Sequence, residues 1–412
     1  MDKPFSAWTS LRDSLGSSLS LIKTSMLKEA SSDDELIDYL GCVATTLPRD
    51  AVEASNLARL LAASGPALAF AGVRTADVAS TGGPSSLSTL LCPLFLRVAG
   101  LHVPKLGVPG RPAGGIDCLA QVPGYKTWLT EDELQQAMKE CGYAHFTAAG
   151  RYAPLDARLF RLRQQNGFQE VPTLVAASLL SKKLAVGVST AGLDVRVAPH
   201  GNFGRNFEEA GLNARMYEKA ASILGILGRP VLTDGSVPYQ AYIGRSEALV
   251  AMRAIFDGPA DSWLQEHVEL CRQLSAAAAP DQGAAIAAAT AKKLRQTFVA
   301  NLVAQGATEA GFLRIADLAA DRHDRTIFAE NDGAVVVSLE GIRKVLTAAQ
   351  GAAAVNNDYP DPVGVILRRR PGDTVRRGEV LATVRIEEAA AQTNVLDQLK
   401  ISIRVRESSE GK

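Results

Sequence analysis

The sequence predicts a mixed α/β protein whose last part is a small β-containing C-terminal lobe. Three features point there: helical spacing and caps over roughly the first seventy residues, a strand–glycine turn–helix unit around Ser80, and short alternating apolar runs after residue 335.

Taken in order, Ser32 with Glu35 gives a capping-box signature before LIDYL, and EASNLARLLAASG stops at Gly65 as a helix should. VRTADVAS is a short β-prone run leading into STGGPSSLSTLLCPLFLRVAG, which reads as turn and then helix. The strand candidate LHVPKLGV runs into a second glycine turn, GVPGRPAGG, and Thr130 with Glu133 caps a further helix. Residues 157–185 return to helical spacing and LDVRV reads as a strand. From Tyr217 to Val303 helix and strand are expected to alternate. VVVSLEG, VGVILRRRPGDTVRRGEVLATVRI and KISIRVRES then form the alternating runs of the last lobe.

Composition narrows the functional classes. The 412 residues suffice for two or three domains, and 47% hydrophobic content suits buried cores. Lysine plus arginine number 44 and so do aspartate plus glutamate, so net charge gives no reason to expect nucleic acid or an anionic membrane as partner. Five scattered cysteines, with no CxxC pair, suit buried thiols in a reducing cytoplasm and no metal site. The N-terminal MDKPFSAWTSLRDSLGSSL lacks the pattern of a secretory signal, and the alanine-rich run from Ser275 to Ala291 is broken by Pro280, Asp281 and Gln282. A cytoplasmic enzyme is the expectation.

The segment Ser80-Thr81-Gly82-Gly83-Pro84-Ser85-Ser86-Leu87-Ser88-Thr89 stands between a strand and a helix. Paired glycines let backbone approach an anion, and a helix start offers unpaired N–H groups. Hydroxyls of Ser80, Ser85, Ser86, Ser88 and Thr89 add donors. The same composition also suits an ordinary βα turn rich in capping residues.

This loop resembles the K-x-S-T-G-G-x-G-D-x-x-S of the thymidine and pyrimidine-nucleoside phosphorylases. Asp117-Cys118-Leu119-Ala120-Gln121-Val122-Pro123-Gly124 is similar to the family's D-K-L-E-x-I-P-G. Tyr152-Ala153-Pro154-Leu155-Asp156-Ala157-Arg158-Leu159-Phe160-Arg161-Leu162-Arg163 is similar to L-A-P-A-D-x-x-L-Y-x-L-R. Ala177-Ser178-Leu179-Leu180-Ser181-Lys182-Lys183 matches A-S-x-x-x-K-K, and Asp194-Val195-Arg196-Val197 matches D-V-K-V. The last lobe carries Asp361-Pro362-Val363-Gly364 and Gly372-Asp373-Thr374-Val375-Arg376-Arg377-Gly378-Glu379 in family order.

The resemblance implies a helical domain (1–72, joined by 157–192) separated by a cleft from an α/β phosphate-binding domain (73–156 and 193–334), with the lobe at 335–412. It implies phosphorolysis of a pyrimidine nucleoside of the thymidine or uridine type, with inorganic phosphate as co-substrate, no cofactor and no metal. It places the base against Arg163, Ser178 and Lys182, with Phe160 where many members have tyrosine, and makes Arg163 and Lys182 the catalytic cations. Both can donate to pyrimidine carbonyls and stabilise the base as it leaves. Phosphate falls to Ser80, Thr81, Gly82, Gly83, Ser85, Ser86, Ser88 and Thr89. A homodimer through the N-terminal helices is also implied.

The pattern breaks on the phosphate side. Val78 and Ala79 replace a lysine and its usual histidine neighbour, Ser85-Ser86 replaces G-D, and Arg111-Pro112-Ala113-Gly114-Gly115-Ile116 replaces G-H-T-G-G-T. Each lost charge-assisted bond costs roughly 1.5–3 kcal/mol. Arg111 or Lys105 is a replacement cation, Arg111 the better because its fork matches phosphate oxygens, although a surface carboxylate would engage Arg111 equally well. Water or another phosphorylated sugar in place of phosphate, and a silent pyrimidine-binding protein, are the competing readings.

Overall fold

The computed structural model describes residues 31–258, 261–354, 357–387 and 394–407. The N-terminal nineteen residues read above for a secretory signal lie outside them. The described chain gathers into two compact units: the residues up to Thr81 with Ala148–Thr233, and Gly82–Thr147 with the residues from Asp234 onward.

The first unit joins five helices to a three-stranded sheet. Both halves of the Ser32–Glu35 capping box form, opening the helix Asp33–Thr46. Asp50 caps Ala51–Ala63 through the Glu53 amide. That helix packs its apolar face on Pro172–Ala185, and Asp33–Thr46 packs on Pro154–Gln165. Gly65 follows because no side chain fits: a Cβ there would lie 2.1 Å from the Arg151 carbonyl oxygen. The sheet runs Ala76–Ser80, Thr190–Val197, Leu227–Asp234, the first two parallel and in register from Ala76 opposite Thr190 to Ser80 opposite Asp194. All eight residues of the central strand are buried, as a strand covered on both faces requires. Lys183, on Pro172–Ala185, is ion-paired with Asp77 of the first strand, and both are buried.

In the second unit Val103–Gly107 pairs in parallel with Tyr143–Thr147. The helix Ser88–Val98 precedes them, and a second complete capping box, Thr130 with Glu133, starts Glu131–Glu140. The expected alternation of helix and strand between Tyr217 and Val303 holds only as far as Ile243. Among the described residues, Arg245 to Ala304 is helical with short breaks, the alanine-rich run folding as a helix end, a turn at Pro280–Gln282 and the short helix Gly283–Ala287. Alanine favours helix over strand, so spacing alone misled there.

The C-terminal lobe is built from antiparallel sheets. One has the order Tyr242–Ile243, Val363–Leu367, Val380–Ile386, Arg325–Phe328; the other, Thr374–Val375, Gly333–Val337, Ile403–Arg406. Two strands of the first sheet thus come from upstream of residue 335. Val365, Val384, Leu346 and Leu399 lie in the core between these sheets and the helices Leu339–Ala352 and Val395–Ser402. All five cysteines are free and four are buried. Among the described residues no helix is long and apolar enough to cross a membrane.

A buried charge cluster ties the helix Arg245–Asp257 to this lobe. Arg385 donates to both carboxylate oxygens of Glu247 (2.8 and 3.1 Å), to Asp361 Oδ2 (2.7 Å) and to the Asp361 carbonyl (2.7 Å). Gly364 is obligatory beside it, since a Cβ would fall 1.8 Å from Glu247 Cδ. Burial pushes the Glu247 carboxyl up, but the Arg385 charge and hydrogen bonds, with His323, outweigh it and hold it at about 2. A depressed carboxyl stabilises the fold above its ordinary value of 4.5 and loses that contribution as pH falls towards 2. Arg385→Met should therefore cost about 3–5 kcal/mol in denaturant unfolding at pH 7, by stranding buried carboxylates. The deficit should shrink near pH 4, where Glu247 without its partner takes up a proton.

Candidate functional site

The helices Pro154–Gln165 and Pro172–Ala185 bring together three side chains of the first unit. Proline opens each helix, where its missing N–H costs nothing. Asp156 lies in the first turn of one, and Ser178 and Lys182, four residues apart, share a face of the other. The Lys182 ammonium is ion-paired with Asp156 Oδ2 and donates to the Ser178 carbonyl (2.8 Å) and the Ser178 hydroxyl (3.0 Å). Lys182 keeps 16% of its side chain exposed against 5% for Lys183, so of the two adjacent lysines it is the one more open to a ligand.

Arg163 is placed differently. Its guanidinium donates to the carbonyls of Phe168 (3.2 Å), Gln169 (3.1 Å) and Leu174 (3.2 Å), pinning the turn between the two helices. Burial lowers its pKa to about 10, opposed by the nearby charge of Asp156. Three of its five N–H groups thus serve the backbone. Phe160, on the same helix, is half-buried. Sequence reasoning picked out Ser178 and Lys182 and passed over Asp156, although the carboxylate stands inside the Ala153-Pro154-Leu155-Asp156 motif.

The boundary between the compact units falls inside the glycine loop, after Thr81. On the near side, the Thr81 amide donates to the Asp194 carbonyl (3.0 Å) and its hydroxyl accepts from the Arg196 amide (3.0 Å). Ser80 ends its strand half-buried. Asp194 is held in turn by Thr233 (2.7 Å) and Arg196 (3.0 Å).

On the far side Gly82 and Gly83 take φ of 112° and 131°, which only glycine adopts without strain. Ser85, Ser86 and Ser88 are buried. The Ser85 hydroxyl accepts from the Tyr239 amide (3.2 Å) and its carbonyl from Gln240 (3.0 Å). Ser86 and Ser88 bond to each other through their hydroxyls, and the Ser88 amide donates to Ser86 Oγ (3.1 Å). The Leu87 amide, at the start of Ser88–Val98, donates to Nε2 of buried His267 (2.8 Å), which makes that nitrogen the unprotonated one. Hydroxyls expected to face an anion are thus engaged inside the protein. Thr89 is half-buried and lies against Gly115, where a Cβ would come within 3.0 Å of its hydroxyl.

In the second glycine turn Asp117 accepts from the Gly110 and Arg111 amides (2.8 and 3.2 Å) and pairs with Arg245 (3.1 Å). Arg245 also donates to the Arg111 carbonyl (3.0 Å), so this turn is anchored through its backbone. Burial, chiefly, with the charge of Arg343, lowers the Arg111 pKa while Asp117 opposes. Lys105 is buried opposite His145 in the parallel pair. Among the described residues no group of three or more histidine, cysteine or acidic side chains is placed to hold a metal.

No protein-family model matches this chain. It is 31% identical over 226 residues to a thymidine phosphorylase of Agrobacterium fabrum, covering 53% of this chain and 51% of that one. It is 26% identical to a pyrimidine-nucleoside phosphorylase of Geobacillus stearothermophilus, over 75% of this chain and 73% of the relative. A pyrimidine-nucleoside phosphorylase of Bacillus subtilis is 28% identical over 82% and 81% of the two chains. The chain thus spans about half of the Agrobacterium protein and most of the other two. Its fold is similar to the crystal structure of anthranilate phosphoribosyltransferase from Thermus thermophilus, with TM-score 0.50 and 18% identity over 70% of this chain and 90% of that one. With the motif order, these likenesses make the chain similar to thymidine and pyrimidine-nucleoside phosphorylases.

Proposed function

We propose that the protein is a pentosyltransferase that splits a pyrimidine nucleoside of the thymidine or uridine type, with phosphate as acceptor. The observation that carries the reading is the seating of Lys182 beside Ser178 on one helix face, more open than its neighbour and next to Asp156. A phosphate oxygen bonds to C1′ of the sugar, the C1′–N bond breaks, and its electron pair leaves with the base. The products are free base and (deoxy)ribose 1-phosphate. Charge grows on the base as the bond loosens, and the Lys182 ammonium sits to stabilise it, a contact strongest in the transition state. Ser178 orients the ring. Arg163 supports the same wall by fixing the turn after its helix, with two N–H groups beyond the three used by the backbone.

Phosphate falls to the loop Ser80–Thr89 and to Arg111, and several of these groups are engaged internally as the loop now stands. That engagement, together with Val78 and Ala79, supports a second reading in which water is the acceptor. Assembly as a homodimer and a cytoplasmic location complete the proposal; light scattering at micromolar concentration checks the first.

Incubation with uridine and thymidine, with and without phosphate, separates the readings. Base release only with phosphate is expected, release without it identifies a nucleosidase, and no release a silent protein. Lys182→Ala should lower both kcat and kcat/KM by about tenfold or more, since it removes a transition-state contact. Lys183→Met should act on the fold, costing about 3–5 kcal/mol in denaturant unfolding because buried Asp77 loses its cation. Val78→Lys should lower the phosphate KM by about tenfold if the family's loop geometry persists.

A further inference from the structure

An ammonium group has three N–H donors, and in Lys182 all three are met: by Asp156 Oδ2, by the Ser178 carbonyl at 2.8 Å and by the Ser178 hydroxyl at 3.0 Å. A pyrimidine carbonyl can enter this arrangement only by displacing one acceptor. The three are not equivalent. Asp156 is charged and 5% exposed, and moving the cation away from it would strand a buried carboxylate. The Ser178 carbonyl belongs to the helix that carries Lys182, so backbone geometry holds it. The Ser178 hydroxyl is the longest contact, is neutral, and rotates about a single bond.

We infer that Asp156 is the positioning residue of the site, and that the Ser178 hydroxyl holds the place of a pyrimidine carbonyl oxygen on Lys182. On binding, Lys182 exchanges the hydroxyl for the base carbonyl while it stays paired with Asp156. The released hydroxyl turns to the ring edge and bonds there. One ammonium is thereby aimed by a fixed anion behind it, and one displacement makes two contacts to the base. Asp156 touches no substrate; it acts through Lys182. Its place one helix over, seven residues before the pinned Arg163, keeps the anchor on the same rigid helix as that arginine.

The inference rests on the pyrimidine reading given above, and its test separates the two. Uridine turnover and calorimetric binding of uracil are measured on the full-length wild type, Asp156→Asn and Asp156→Glu, with a melting curve for each. Asp156→Asn should lose about tenfold in kcat and in uracil affinity, the worth of one well-placed hydrogen bond to a charged group, while it melts as a folded protein. Asp156→Glu, which restores the anion on a longer arm, should recover most of both. An Asp156→Asn protein with wild-type kcat and uracil affinity overturns the inference and leaves the pyrimidine reading standing. So does a folded Asp156→Glu protein as poor as Asp156→Asn, which would make the aspartate a packing element. A wild type that neither cleaves uridine nor binds uracil overturns both. One measurement needs no variant: the Nζ resonance of Lys182 in ¹⁵N-lysine-labelled wild type. Uracil should shift it as a serine oxygen is exchanged for a pyrimidine carbonyl, and a resonance unmoved at saturating uracil overturns the exchange.

Discussion

A lysine taken out of water keeps its charge only beside an anion, and the helix Pro172–Ala185 carries two such lysines in succession. Lys183 meets Asp77 on the first strand, and Lys182 meets Asp156 on the neighbouring helix. Successive residues on a helix point about 100° apart, so the two pairs tie this one helix to two different elements. Its rotation about its own axis is thereby fixed, and with it the direction in which Ser178 faces. The inner pair is the more deeply buried; the outer pair keeps more exposure, and on the proposed reading it is the one that meets a ligand. Two neighbouring, chemically identical side chains thus differ in partner and in burial.

The same rule governs the second unit. Glu247 and Asp361 are tolerated inside it because Arg385 donates to both, and Asp117 because Arg245 and two turn amides converge on it. These clusters sit where the resemblance puts its second glycine turn and last lobe. The motif residues there are thus accounted for structurally: Asp117 shapes a turn, and Asp361-Pro362-Val363-Gly364 supplies both a carboxylate and the bare Cα that Glu247 packs against.

Much of this was legible in the sequence, and the legible part is local. Both capping boxes, the strand before the glycine loop, the parallel unit around it and the alternating runs of the last lobe depend on spacing within a few residues. Ser178 and Lys182 share a face because four residues make about one helical turn. What sequence reading could not supply is the choice of distant partner. The Leu87 amide bonds to an imidazole 180 positions away, and Arg385 reaches back to Glu247 over 138. Arg163 was matched to the base site through the family motif, and that three of its N–H groups go to the carbonyls of Phe168, Gln169 and Leu174 is something only coordinates reveal. Asp156 was visible as a letter but not as the partner of Lys182, since that pairing depends on how two helices dock.

On the proposed reading, the Lys182–Ser178 face holds a pyrimidine base. A crystal structure of the protein soaked with uracil or thymine tests it most directly. Expected are a pyrimidine carbonyl oxygen within hydrogen-bond distance of Lys182 Nζ, the Ser178 hydroxyl turned to the ring, and the Asp156 pair intact. A base bound elsewhere, with the Lys182 contacts to Ser178 and Asp156 unchanged, would contradict it.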